Sequence, residues 1–282
     1  MKEIKTRIKS VESTRQITKA MELVSSSKFR KAKERAESTK PYFNTLYSTV
    51  QDIASNTSNS KNVFMKNRDV KNVCYIVIAG DRGLAGGYNS NILKAVMAHN
   101  TLGAGKVIPI GKKASESFSK RGYEIIDSIE TVENATYEDA NRVAQAAMDA
   151  YKKGEVDEVN LVYTQFISAL SQEPTIVKLL PVTIEPKQGE EIKKAKCAVQ
   201  YLPSADAVLG YVLPKYVSGS VYGAIAESFA SEQAARRTAM ESATDNANEM
   251  IAKLELSYNR ARQAAVTQEI SEIVGGAAAS AK

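Results

Sequence analysis

The sequence has no tryptophan, one histidine and two cysteines among its 282 residues. Structural zinc sites take their ligands mainly from Cys and His, and His99 with the widely separated Cys74 and Cys197 makes such a site improbable. Two cysteines are also too few for a disulfide framework, which is typical of proteins of a reducing compartment. The sequence therefore predicts neither a metal site nor a regulatory disulfide.

Long apolar runs are missing as well. No stretch approaches the roughly 18–20 apolar residues that span a bilayer. The first ten residues, MKEIKTRIKS, lack the apolar core of a secretory signal. The sequence predicts neither a membrane span nor a leader.

Proline and glycine are absent from two long segments near the ends of the chain. Residues 2–40 contain neither and are followed by Pro41, and residues 224–274 contain neither and are followed by Gly275 and Gly276. Both residue types interrupt helices, so each segment is predicted to be one long helix that ends where they appear.

Each of these helices has a seam of residues at helical spacing. In the first, one trio is followed by a second that is out of register with it, namely Ile4, Ile8 and Val11, then Ile17, Met21 and Val24. In the second, small or flexible residues alternate at spacings of three and four, namely Met240, Ala243, Ala247, Met250, Leu254, Ser257, Ala261 and Ala264. Because either seam alone would face water, the helices are predicted to pair as an antiparallel coiled coil.

The middle of the chain, residues 72–203, has a different pattern. Apolar runs at 73–80, 106–111 and 123–127 alternate with helix-like stretches at Asn89–Asn100, Lys112–Arg121 and Ala135–Lys152. This βαβα order predicts a mainly parallel sheet with helices on its faces. Later runs at 158–166 and 175–184 either extend the sheet or form a hairpin at its edge, and loops are predicted at 56–62 and 186–189.

The predicted fold class is therefore α/β, with two parts. A Rossmann-like central domain occupies residues 61–207, and a discontinuous coiled-coil shaft is formed by residues 1–60 and 208–282.

A glycine-rich turn, GDRGLAGG at residues 80–87, lies between a predicted strand and a predicted helix. Nucleotide-binding proteins hold phosphate at such a place. Here the turn has neither the Lys-Ser/Thr pair of a P-loop nor G-x-G-x-x-G, and Asp81 puts a negative charge where the anion would lie. We interpret it as a tight turn whose glycines allow positive φ and close packing. We expect no catalytic residue, no cofactor and no metal in this chain.

Positive charge is concentrated at the start of the chain. The net charge is +6, and the first 40 residues hold twelve Lys or Arg against five Asp or Glu. A basic helix is one feature of nucleic-acid-binding proteins, although only Phe29 is interleaved with the cations. The residues alone thus leave two alternatives open: a basic coiled-coil protein that binds nucleic acid, and an enzyme that uses a dinucleotide at the glycine turn.

Four stretches in order across the chain carry a resemblance to a known family. They are RIKSVESTRQITKAMELVSSSKFRKA at 7–32, GDRGLAGGYN at 80–89, ASEQAARRTAMESATDNA at 230–247 and VTQEISEIVGGAAA at 266–279. The chain resembles the gamma subunit of the rotary, F-type ATP synthases, and the last stretch is similar to that family's C-terminal signature.

The resemblance implies a role and a set of partners. It implies a non-catalytic central-stalk rotor subunit that couples ion-driven rotation of the membrane c-ring to conformational cycling of the catalytic beta subunits. The implied partners are the alpha and beta subunits of the hexameric head, the epsilon subunit and the c-ring, without nucleic acid. The implied location is the cytoplasmic face of the bacterial plasma membrane, reached only through the complex.

The resemblance also implies contact residues by motif match. Contacts with beta subunits are implied for Lys19, Met21, Lys28, Arg262, Gln263, Thr267 and Glu269, and a foot contact with epsilon or the c-ring is implied for Tyr201. Met21 is the most informative because it is apolar within a basic helix. It either faces a beta subunit or only packs the coiled-coil seam.

Overall fold

The structure is a computed structural model that describes residues 1–55, 62–100, 103, 105–183 and 201–280. Five helices, five strands and one short 3-10 helix at Val63–Met65 lie in these ranges. In chain order the main elements are α1 (Lys2–Ser55), β1 (Val73–Ile78), α2 (Tyr88–His99), β2 (Lys106–Ile110), α3 (Lys112–Ser119), β3 (Glu124–Ile125), α4 (Tyr137–Lys153), β4 (Glu158–Phe166), β5 (Gln172–Leu180) and α5 (Ala205–Ser280). Cys197, the predicted loop at 186–189 and all but the last residue of the predicted loop at 56–62 fall outside the described residues.

The terminal helices are longer than the sequence predicted. Helix α1 continues through Pro41 to Ser55, and α5 includes Pro214 and continues past Gly275. The predicted helix ends at Pro41 and Gly275 were therefore wrong. Proline removes one N–H from the helix, and Pro41 is exposed, so water can hydrate the carbonyl that loses its donor. After Gly276 come three alanines, the residue of highest helix propensity, which favour continuation.

The five strands form one sheet in the order β3-β2-β1-β4-β5. Strands β2 and β4 both run parallel to β1, with Ile76 opposite Ile108 on one side and Leu161 on the other. Strand β5 runs antiparallel to β4 as an edge hairpin. The predicted mainly parallel sheet is thus confirmed.

Helices cover both faces of the sheet, which explains why every residue of β1 is buried. Alternate residues point to opposite sides. Cys74, Ile76 and Ile78 belong to the core that includes α4 and the start of α5, whereas Tyr75 and Val77 belong to the core made with α2 and α3. The central domain therefore has three layers, as an α/β fold requires.

The chain divides into two compact units. We call Met1–Ser25 with Arg236–Lys282 the helical unit, and Ser26–Ala235 the sheet unit. The predicted boundaries at residues 60 and 208 separate segments by their expected role, and that division stays a prediction.

Within the helical unit, α1 and α5 form an antiparallel pair. Arg15 Nη1 donates to Asn248 Oδ1 at 3.4 Å, and the hydroxyls of Thr18 and Thr244 lie 2.8 Å apart. Thr18 also donates to the Arg15 carbonyl, and Thr244 to the Met240 carbonyl. Two hydroxyl hydrogens serve three bonds, so only two of these bonds form at any moment.

The seam of this pair differs from the predicted one. On α1 a row of covered positions alternates at spacings of four and three without a break and includes polar residues, namely Ile4, Ile8, Val11, Arg15, Thr18, Glu22 and Ser25. The predicted slip was therefore wrong, and Ile17 and Val24 are 58% and 57% exposed. On α5, Ile251 and Tyr258 take the places predicted for Met250 and Ser257.

Candidate partner-binding surface

The glycine turn is held by its own side chains and by neighbouring backbone. The Gly80 N–H donates to Asn89 Oδ1 at 2.8 Å, and Asn89 Nδ2 donates to the Arg82 carbonyl at 3.2 Å. The Asp81 carboxylate accepts from the Val132 N–H at 3.0 Å. The donor at the start of the turn and the acid beside it are thus already used within the protein.

The turn approaches α5 so closely at residue 80 that only glycine fits there. A Cβ on Gly80 would lie 2.7 Å from Glu232 Oε1, which is closer than atoms pack. Gly86 has φ of 57°, as the turn interpretation predicted, but exposed Leu84 also has a positive φ of 63°. The carboxylates of Asp81 and Glu232 therefore border the turn, and the Glu232 side chain fills the space beside Gly80.

A buried hydroxyl network continues from the turn into α5. The Tyr88 hydroxyl donates to the Ser228 carbonyl at 3.1 Å, and Ser228 Oγ accepts from the Thr164 N–H at 3.1 Å. Ser231 Oγ donates to the Thr164 carbonyl at 3.0 Å. Among the described residues, Thr164 Oγ1 is buried without a hydrogen-bond partner. These bonds join the glycine turn, β4 and α5 of the sheet unit.

Cys74, the cysteine within the described residues, lies in an unreactive environment. Burial raises the pKa of the Cys74 thiol to about 12, so this thiol stays protonated at neutral pH. In the part of the chain that the structure describes, no cluster of three His, Cys, Asp or Glu side chains could hold a metal ion. Within the same ranges, no helix is long and apolar enough to cross a membrane.

The helical unit exposes large apolar side chains, and these are candidates for partner contact. On α5, Val266, Ile270 and Ile273 are 48%, 56% and 71% exposed. Their spacing of four and then three places them on one helix face, which we call the apolar stripe. On α1, Ile17 and Val24 are seven residues apart and therefore share a face of their helix. Such exposed apolar rows mark interaction surfaces in soluble proteins.

The residues implied on α5 lie beside this stripe. Arg262, Gln263, Thr267 and Glu269 are all exposed. Helical spacing puts Arg262 and Glu269 on the Val266 side of the stripe. The stripe was not among the sequence predictions, although the helical spacing of its three apolar residues is present in the sequence.

The implied residues on α1 are partly engaged within the chain. Lys19 Nζ lies 3.0 Å from Glu22 Oε1, and Lys28 Nζ lies 2.5 Å from Glu133 Oε1, with both lysines substantially exposed. Met21 is half-buried. This exposure is compatible both with contact to a beta subunit and with packing in the coiled-coil seam. Tyr201 is half-buried against the core of the sheet unit.

Comparison with known proteins identifies relatives over nearly the whole chain. The model of the ATP synthase family matches residues 1–279. The ATP synthase gamma chain of Alkaliphilus metalliredigens is 49% identical, covering 99% of this chain and 98% of the relative. The sodium ion specific ATP synthase gamma chain of Acetobacterium woodii is 46% identical, covering 99% and 98%.

Solved structures agree with these relatives. A chain from the central stalk and c-ring of the Tetrahymena thermophila mitochondrial ATP synthase has a TM-score of 0.61 at 28% identity, covering 80% of this chain and 99% of that one. A chain from the Euglena gracilis mitochondrial ATP synthase has a TM-score of 0.71 at 22% identity, covering 99% and 93%, and shows the same fold.

The paired terminal helices and the mainly parallel sheet, together with the relatives and the central-stalk structure above, place the chain in the class of central-stalk rotor subunits. The chain belongs to the ATP synthase gamma chain family, as the four sequence stretches predicted. These findings favour the rotor reading over the nucleic-acid-binding and dinucleotide-dependent alternatives.

Proposed function

We propose that the helical unit turns inside the hexamer of alpha and beta subunits and couples ion-driven rotation of the c-ring to the conformational cycle of the beta subunits. The observation that carries this proposal is the apolar stripe of Val266, Ile270 and Ile273, which is exposed in the chain. An exposed apolar row needs a cover in the working protein, and a surrounding sleeve of subunits supplies one.

Rotation shifts the beta subunits because each orientation of an asymmetric shaft contacts them unequally. A ligand or neighbour shifts a conformational equilibrium only by the difference in its interaction with the two states. Arg262, Gln263, Thr267 and Glu269 flank the stripe on α5, and Lys19, Met21 and Lys28 lie on α1. We assign the beta contacts to these residues.

The ion pairs of the two lysines suit repeated engagement. Exposed pairs such as Lys19–Glu22 and Lys28–Glu133 contribute only about 0–1 kcal/mol each. Either lysine can therefore leave its partner for an acidic loop of a beta subunit and return at little cost. Low individual energies let contacts form and break at each step of rotation.

The remaining assignments follow from the same role. Residues 1–60 and 208–282 serve as the shaft, and residues 61–207 serve as the foot, where Tyr201 meets epsilon or the c-ring. We also infer that the chain itself performs no catalysis. In support, the Gly80 N–H at the glycine turn already donates to Asn89, and Glu232 fills the space beside Gly80 where a phosphate would approach. The chain is a peripheral protein on the cytoplasmic face of the plasma membrane, attached through the complex.

Reconstitution tests this function. The purified chain alone is expected to show no ATPase activity and no binding of ATP or NAD by calorimetry. Added to alpha and beta subunits, it should form a stable complex with high ATP turnover, and membranes that lack it should lose ATP-driven ion pumping. ATP hydrolysis by the isolated chain, or pumping by membranes without it, would contradict the proposal.

A further inference from the structure

Every exposed tyrosine of the chain lies on the sheet unit. The sequence has thirteen tyrosines, and those with large exposure are Tyr42, Tyr47, Tyr137 and Tyr211. Tyr42 and Tyr47 lie on α1, Tyr137 begins α4, and Tyr211 lies on α5. Tyrosine is enriched at protein interfaces, because its ring contributes apolar area while its hydroxyl keeps a hydrogen bond.

Lys215 of α5 lies against one of these tyrosines, and aromatic contacts join two others. Its Nζ donates to the Tyr211 hydroxyl at 2.8 Å and lies 4.1 Å from the centroid of that ring. An aromatic chain joins Tyr42 and Tyr137, because Phe43 contacts Tyr42, Tyr222 contacts Tyr137, and the ring centroids of Phe43 and Tyr222 lie 6.4 Å apart. The hydrogen bond with Tyr211 raises the pKa of Lys215, and Tyr42 and Tyr137 raise it to a smaller extent. We call Tyr42, Tyr137, Tyr211 and Lys215 the tyrosine patch.

The rings of the patch are held by aromatic neighbours. The Tyr137 ring lies 5.7 Å from that of Tyr222, and the Tyr42 ring lies 5.4 Å from that of Phe43, both edge to face. Side chains that are already fixed lose little conformational entropy when a partner binds. The side chains of the patch are therefore preorganised for binding.

The patch carries a positive charge that none of the described acidic residues neutralises. In the described part of the chain, Lys215 forms no ion pair, whereas exposed lysines such as Lys28 and Lys253 do. The hydrogen bond from Lys215 lowers the pKa of Tyr211 and raises the pKa of Lys215, so the ammonium remains charged at neutral pH. The ammonium keeps two further hydrogens, and the Tyr211 hydroxyl keeps its own.

We propose that the tyrosine patch binds an acidic side chain of another protein in the assembly, with the tyrosine rings covering apolar side chains beside that acid. The carboxylate accepts from Lys215 and Tyr211 together, and such charge-assisted bonds are the stronger ones. A protein is favoured over a free anion because a small anion would leave the three rings in water. The inference rests on the proposed work of the chain within a complex.

Carbodiimide cross-linking of the whole complex tests the proposal, because this reagent joins an amine to a carboxylate only when the two are in contact. The complex is purified through a tag on this chain, and its ATPase activity confirms that it has assembled. Mass spectrometry should then find Lys215 joined to an Asp or Glu of another polypeptide. Acetylation of Lys215 should be several times slower in the complex than in the isolated chain.

Variants add a functional readout and a matched control. Lys215→Gln and Tyr211→Ala should each weaken retention of the cross-linked polypeptide, by roughly tenfold in Kd for the loss of one interfacial charge pair. Tyr211→Phe keeps the ring and should have a smaller effect. Lys94→Gln, which removes an exposed lysine on α2, should leave retention unchanged.

Two results would overturn the inference while leaving the proposed function intact. One is an active complex in which Lys215 forms no cross-link and is acetylated as fast as in the isolated chain. The other is protection of Lys215 in the isolated chain by phosphatidylglycerol vesicles without any cross-link in the complex, which would assign the patch to a membrane surface. Failure of the tagged chain to bring down an active complex would instead count against the proposed function.

Discussion

At the scale of single residues, the absence of a side chain at Gly80 allows the glycine turn to pack closely against Glu232 of α5. Gly80 lies so close to Glu232 that even a methyl group would collide with the carboxylate. Gly83, three residues later, has open space around the position of its missing Cβ. Two glycines that look equivalent in the sequence therefore differ in structural importance, which no periodicity or spacing could reveal.

Gly80→Ala should consequently destabilise the protein, whereas Gly83→Ala should not. Forcing an extra methyl into a packed site costs about 1–3 kcal/mol, and an exposed change away from special contacts stays within about 0.5 kcal/mol. Urea unfolding of the full chain, followed by circular dichroism, gives both free energies. Equal values for the two variants would show that the contact with Glu232 relaxes freely.

A substitution of Thr164 is expected to change the free energy of unfolding in the opposite direction. Its Oγ1 is buried without a partner among the described residues, while Ser228 Oγ accepts from the Thr164 N–H. Thr164→Val removes an unsatisfied hydroxyl at nearly constant shape, so it should be neutral or slightly stabilising. Ser228→Ala leaves that buried N–H unpaired and should cost about 1–3 kcal/mol. Thermal melts compare the two, and a Thr164→Val protein as unstable as Ser228→Ala would contradict the prediction.

At the scale of elements, the strands and short helices were predictable because the strands are short apolar runs and helix-like stretches lie between them. The runs at 73–80 and 158–166 contain β1 and β4, and of the two alternatives left open for the later runs the structure has the edge hairpin, β4 with β5. The coiled-coil seam was not predictable in the same way. The hydroxyls of Thr18 and Thr244 form a hydrogen bond across the seam. A pattern of apolar residues alone does not include such polar pairs.

Helix α4 begins with a reciprocal cap whose strength should depend on pH. The Thr136 N–H donates to Asp139 Oδ2 at 2.9 Å, and the Asp139 N–H donates to Thr136 Oγ1 at 3.2 Å. The first of these bonds, with help from the Thr136 hydroxyl, lowers the pKa of Asp139. A carboxyl whose pKa is lowered by folding stabilises above its unfolded pKa, and this contribution is lost as the pH falls through the folded pKa.

Asp139→Asn should therefore destabilise the chain at neutral pH and have less effect in acid. We expect a loss of about 0.5–1 kcal/mol at pH 7 that shrinks as the pH falls below about 4. Glu138→Gln removes the same charge one residue earlier and serves as the control, because Glu138 takes no part in the cap. Denaturant titrations across this pH range measure the difference, and a pH-independent gap between the variants would count against the cap.

At the scale of the whole molecule, the sequence predicted the fold class and the family because four separate stretches agreed. The sequence did not predict which faces of the terminal helices would be exposed. The exposed faces depend on how α1 and α5 pair, and polar residues contribute to that pairing. The half-buried position of Met21 was thus available only from the structure, whereas the spacing of the apolar stripe is already present in the sequence.

Met21→Lys tests the coupling function directly. The new charge either pairs with an acidic beta loop or is left desolvated, at a cost of about 1–3 kcal/mol in one rotational state. Assembly should remain largely intact, while ion pumping per ATP hydrolysed in membrane vesicles should fall. Met97→Lys makes the same replacement at a half-exposed site on α2 and should keep the normal ratio. A normal ratio for Met21→Lys as well would mean that Met21 only packs the seam.

The contact of Phe43 with two glycines has a mechanical consequence within the sheet unit. Positions where Gly219 and Gly223 would carry Cβ atoms lie 2.9 Å from opposite edges of the Phe43 ring, so the ring fills the space that both missing side chains leave. Sliding α1 along α5 by one helical turn, about 5.4 Å, would drive the ring against a neighbour that does have a side chain. The two helices therefore resist axial shear at this point through shape alone, without a charge or hydrogen bond that load or salt could loosen.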